Sequence, residues 1–214
     1  DPVLKGKQKP TDIVLGEIST GKRNLDKLTA QLSSLPETRA ELNYISKLPI
    51  FKKSKLLLGK NATEYNVRNT KELSLSSVIS FATHGLLSGE YNSYSEPGLI
   101  LSKGKGDSKL DNGYLTFSEI GSLDINADLV ILSACNTGGA QTHNSHAFSG
   151  LASSFIASGA KRVLASHWSV ESLSTKELIS LILSKKYDKN SWSEAKKLGI
   201  NKFFNDYPEY KSPY

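Results

Sequence analysis

The sequence holds no methionine and a single cysteine, Cys135, among 214 residues. One cysteine excludes an internal disulfide framework, and a lone free thiol fits a reducing compartment, so a cytoplasmic protein is expected. Without methionine there is no native start, and the chain is expected to be a piece of something longer. No stretch approaches the roughly 20 consecutive apolar residues of a membrane span. Asp1-Pro2-Val3-Leu4-Lys5 shows no charged-then-apolar leader. The formal charge of +6 comes mainly from lysines spread between Lys5 and Lys197, with no aromatics interleaved in a basic stripe. Such lysines read as a solvated surface, so neither a nucleic acid nor a membrane is an expected partner.

What the chain does have is short, unbroken apolar runs. Val78–Thr83, Leu129–Ala134 and Arg162–Ser166 predict strands buried on both faces, and Lys55–Leu58, closed by Gly59, predicts a shorter one. Between them lie helix signals. Ser34-Leu35-Pro36-Glu37 reads as a capping box, followed by Leu42, Ile45 and Leu48 on one face and a stop at Pro49. A brief helix is expected around Glu64–Arg68, begun at Asn61 or Thr63. Another is expected at Thr116-Phe117-Ser118-Glu119, and a longer one at about Phe148–Ser158 ended by Gly159. Two more cover about Ser172–Ser184 and Ser191–Asn205, the second opened by Ser191 and Glu194. Trp192, Phe203 and Phe204 read as core, and Tyr207, Tyr210 and Tyr214 as cover for the last sheet edge. Residues 1–33 read as a polar N-terminal segment or insertion, with a short helix near Leu25–Leu32, and residues 34–214 as the main domain. Residues 86–111 read as an excursion rich in Gly, Ser and Lys, with a short strand at Gly98–Leu101. Strands alternating with helices predict an α/β fold, its mostly parallel sheet covered by helices on both faces.

In open α/β sheets the functional crevice lies at the carboxyl ends of the strands. His84, Cys135 and His167 all follow predicted strands directly. Tips of adjacent strands bring an imidazole and a thiol within reach, and the imidazole then takes the thiol proton and returns it to a leaving amine. Gly85 after the histidine lets backbone approach a substrate, and its N–H with that of Cys135 makes a two-donor oxyanion hole. Gly138-Gly139 allows a sharp bend after the thiol. From spacing alone, Cys135 reads equally as a small core hydrophobe and His84 as a hydrogen-bonded strand-end histidine. His143 and His146, drawn together with Cys135 and His167, suggest zinc, but the spacing matches no familiar paired-ligand pattern. No metal site is expected.

Phe81-Ala82-Thr83-His84-Gly85 resembles the histidine motif of CHAT-domain cysteine peptidases, bacterial relatives of caspases and separases. Leu132-Ser133-Ala134-Cys135-Asn136-Thr137-Gly138 is similar to that family's cysteine motif. Three further stretches share the resemblance: Leu35–Glu41, Gly150–Val163 and Ala165–Val170. The resemblance implies a caspase-like three-layer sandwich that hydrolyses peptide bonds without a cofactor. His84 would be general base and Cys135 nucleophile, with Gly85 in the oxyanion hole. Ser166, Trp168, Ser169 and Glu171 would line the substrate pocket, although Glu171 reads more readily as an N-terminal helix charge. It also implies that the family's first and last strands are clipped from this chain. A tetratricopeptide-repeat or other regulatory region would lie outside it. Two rivals stay open: a non-catalytic or conditionally activated interaction module in a signalling or defence protein, and a thiol acyltransferase or esterase.

Overall fold

The computed structural model describes residues 29, 32, 35–86, 96–105, 109–136, 145–165 and 172–210, with backbone alone at 109, 134–136, 145–149 and 172–173. The expected loop over most of 5–30, the cap at Ser34 and Tyr214 lie outside these residues. The chain divides into two compact units, one drawn from 1–36 and 57–169, the other from 37–56 and 170–214.

The first unit is built on five strands: β1 (Val78–Leu86), β2 (Gly98–Ile100), β3 (Tyr114–Thr116), β4 (Leu129–Asn136) and β5 (Val163–Ala165). They form one sheet in the order β3-β2-β1-β4-β5. β1, β4 and β5 run parallel, whereas β2 is antiparallel to both β1 and β3. The sheet is therefore mixed: β2 alone runs against the other four strands. The cause lies in the 86–111 excursion. Its apolar patch at Gly98–Ile100 runs back against Gly85 and Leu86 as an antiparallel strand, and no α-helix lies among its described residues to carry a parallel crossover. The expected short strand at Gly98–Leu101 is β2, and β3 is its partner.

Seven α-helices and three one-turn 3-10 helices accompany the strands among the elements described over their whole length. The α-helices are α1 (Pro36–Ile45), α2 (Glu64–Asn69), α3 (Glu72–Leu75), α4 (Phe117–Gly121), α5 (Ser145–Ala157), α6 (Ser172–Tyr187) and α7 (Trp192–Asp206). Two expected capping boxes are present, Thr116 with Glu119 on α4 and Ser191 with Glu194 on α7. Thr63 caps α2 by accepting from the Asn66 amide. The expected strand at Lys55–Leu58 is absent: the segment is extended at Leu58 but joins no ladder. Lys55 and Leu56 are exposed, and Leu57 packs, partly buried, against the first unit's core.

That core occupies one face of the sheet. Ile79 and Phe81 of β1, Leu99 of β2, Leu115 of β3, Val130 and Leu132 of β4, and Val163 and Ala165 of β5 alternate along their strands and meet Ile120 of α4 and Leu151 and Phe155 of α5. The Phe81 and Phe155 rings lie 5.2 Å apart between centroids. The opposite face carries Ala82, Ile100, Tyr114 and Ile131, which are also buried.

A charge network unforeseen from the sequence ties α2 to the hairpin. The carboxylate of Glu64, fully buried, accepts from the Gly113 amide at 2.6 Å and the Tyr114 amide at 3.1 Å. Arg68 bridges Glu64 at 3.2 Å and Glu119 at 2.9 Å, and donates to the Leu110 carbonyl. The only signal was the i,i+4 spacing of Glu64 and Arg68. Burial raises the Glu64 carboxyl above its ordinary value of 4.5, against the lowering by the Gly113 amide; Glu119 adds to the rise, and Arg68 and the Tyr114 amide oppose it. A carboxyl whose folded value is raised contributes most below its unfolded value, and that contribution is lost as pH rises through the folded value. Glu64→Gln keeps the amide-accepting oxygen and removes the ionisation. The parent is therefore expected to lose stability relative to the variant as pH rises from about 4.5, in urea unfolding at a series of pH values. Parallel curves would contradict this assignment.

In the second unit α6 and α7 form a helical hairpin. Ile179, Ile182 and Leu183 face Ala195, Gly199 and Phe203. A Cβ on Gly199 would sit 2.7 Å from Ile182 Cγ1 and 2.8 Å from its amide nitrogen, so glycine sets the helix spacing. Phe203 alone of the three aromatics expected in the core is buried; Trp192 and Phe204 are half-buried. Tyr207 and Tyr210 stack on Phe203 at 5.1 and 5.6 Å.

Candidate active site

β1 and β4 pair over eight rungs, from Val78–Leu129 to Gly85–Asn136. The rung before the last sets His84 against Cys135. Paired positions in a parallel ladder lie on the same face of the sheet, and neighbouring strands are about 4.8 Å apart. The ladder thus brings together two residues far apart in sequence. His84 lies on the face opposite the Phe81–Phe155 core, shared along the described positions by Ser80, Ala82, Ile131 and Ser133.

Both residues lie within their strands rather than beyond the tips, which refines the sequence expectation. β1 runs on because Gly85 and Leu86 pair with Leu99 and Gly98 of β2. His84 is 3% exposed. Gly85 occupies the final rung with Asn136 and a rung with Leu99 on its other side. Thr83, buried and facing away from His84 along the strand, donates its hydroxyl to the Ile100 carbonyl of β2. Nothing in the sequence singled out that contact, because β2 is only three residues long.

Ser166, His167, Trp168, Ser169 and Glu171, together with Gly138, Gly139 and His143, lie outside the described residues. His146 is described only as backbone in α5. Among the described residues no group of three His, Cys, Asp or Glu side chains is placed to hold a metal ion, and no helix is long and apolar enough to cross a membrane.

The family model of the CHAT domain matches residues 2–196. The chain belongs to the CHAT-domain family. No curated protein matches the sequence. CHAT domains are caspase-like, peptidase-related domains, and that description holds for this chain. The two motifs behind the resemblance, Phe81–Gly85 and the stretch from Leu132 through Asn136, are the carboxyl-terminal halves of adjacent parallel strands in this CHAT domain.

Proposed function

We propose that this CHAT domain is a cysteine endopeptidase working through a His84–Cys135 dyad. The observation that carries the reading is the shared rung: one ladder position holds the imidazole-bearing residue and the other the thiol-bearing one. In the proposed cycle His84 takes the thiol proton, and the Cys135 thiolate attacks the scissile carbonyl. The N–H groups of Gly85 and Cys135 hold the oxyanion. Collapse of the tetrahedral intermediate breaks the C–N bond, with His84 returning the proton to the leaving amine. Water then hydrolyses the thioester and restores the thiol. No cofactor takes part. The substrate is a protein or peptide, and Ser166, Trp168, Ser169 and Glu171 line its pocket in a caspase-like three-layer sandwich.

The single cysteine makes the test clean. Treatment with iodoacetamide should give one adduct by mass, and cleavage of a mixed peptide library should disappear in step with it. Cleavage that persists in fully alkylated protein would exclude the mechanism. The burial of His84 favours a second reading, a conditionally activated module. Labelling by a peptide-based thiol electrophile, faster in a longer form carrying its regulatory regions than in this chain, would select it.

A further inference from the structure

We infer that Thr83 is a positioning residue for the general base, an inference that rests on the dyad reading. On one side His84 is fixed by the ladder to β4. On the other, main-chain pairing of β1 with β2 amounts to two rungs, Gly85–Leu99 and Leu86–Gly98. Continuing that register one step places Ile100 opposite His84. The Thr83 hydroxyl donates to the carbonyl of this same residue. A side-chain bond thus continues the attachment of β1 to β2 where the paired rungs end, next to the imidazole-bearing residue. Thr83 and Ile100 are both buried, so water is poorly placed to replace the hydroxyl. The backbone of His84 is held between a rung after it and a clamp before it. The consequence is a fixed placement of the imidazole relative to the Cys135 rung, and small misplacements of a catalytic group cost rate out of proportion to their size.

Thr83→Ser and Thr83→Ala separate the clamp from packing, since both lose the methyl and one alone keeps the hydroxyl. Thr83→Ala is expected to lower kcat by about tenfold or more with KM nearly unchanged, and Thr83→Ser to stay within about threefold of the parent. The Ala variant should also slow Cys135 alkylation and shift its pH profile toward that of an unassisted thiol, which a loss of packing alone would not do. Ser154→Ala is the control: it removes another buried hydroxyl, bonded to the Phe117 carbonyl away from the dyad face, and should leave kcat and the alkylation profile unchanged. If Thr83→Ala fails to fold, the shape-matched Thr83→Val is read in its place, and loss of activity in Thr83→Ser would itself overturn the inference. Equal kcat in the Ser and Ala variants overturns it while leaving the dyad intact. A parent whose peptide cleavage survives complete alkylation sinks the dyad and the clamp together.

Discussion

Cys135→Ala is expected to lower kcat/KM for peptide cleavage by at least about 10^4-fold while the protein stays folded. The thiolate is the only group in the proposed cycle that forms a covalent bond to substrate, and alanine offers nothing in its place. The fold should survive because the β1–β4 ladder is a main-chain structure, and the rung at Cys135 is one of eight. His84→Ala should give a loss of the same order, and the double variant should be scarcely worse than either single one, because residues that act as a unit are not additive. Rates are read on a peptide substrate found by library cleavage, with circular dichroism as the check on folding. Cleavage within about tenfold of the parent in Cys135→Ala would end the proposal.

Gly159→Val is expected to destabilise the first unit by more than about 4 kcal/mol, a large share of the stability of an ordinary domain. Gly159 ends α5 with φ of +111°, a conformation that L side chains rarely adopt. The helix closes on it as a Schellman motif, with the Gly159 amide donating to the Ile156 carbonyl and the Ala160 amide to that of Phe155. The turn also packs directly on the irregular segment leading into β4: a Cβ here would lie 1.9 Å from the Ile125 carbonyl oxygen. Ile125 donates to Ser158 and Lys161 to Ala127, so the same turn delivers β5 to the edge of β4. A side chain must therefore displace backbone on the route to the Cys135 strand. Thermal melting should fall by about 10 °C or more. Gly150→Ala is the contrast, because its nearest outside neighbour is Pro97 Cγ at 3.8 Å, an ordinary contact, and a helical alanine gains up to about 1 kcal/mol. A Gly159→Val protein melting with its parent would show that the turn is free to rearrange.

The residues themselves determined the elements that rest on local chemistry. The apolar runs ending at His84 and Cys135 became β1 and β4 because a run that short, bounded by turn residues, suits a strand covered on both faces better than a helix. Thr116, Ser191 and Gly159 set helix ends for the same local reasons, a hydroxyl for an unpaired amide and a missing Cβ for a left-handed turn. Pairing is a different matter, since it depends on which strands find each other across long stretches of chain. Only the tertiary structure decided that β1 and β4 are neighbours in a register that sets His84 on the rung of Cys135. It also decided that β2 and β3 return antiparallel, that Leu56–Leu58 stays outside the sheet, and that Glu64 is buried beneath Arg68. A three-residue strand such as β3 carries too little periodicity to announce itself where no apolar run marks it, and a buried carboxylate looks like any surface glutamate until the amides that donate to it are in place.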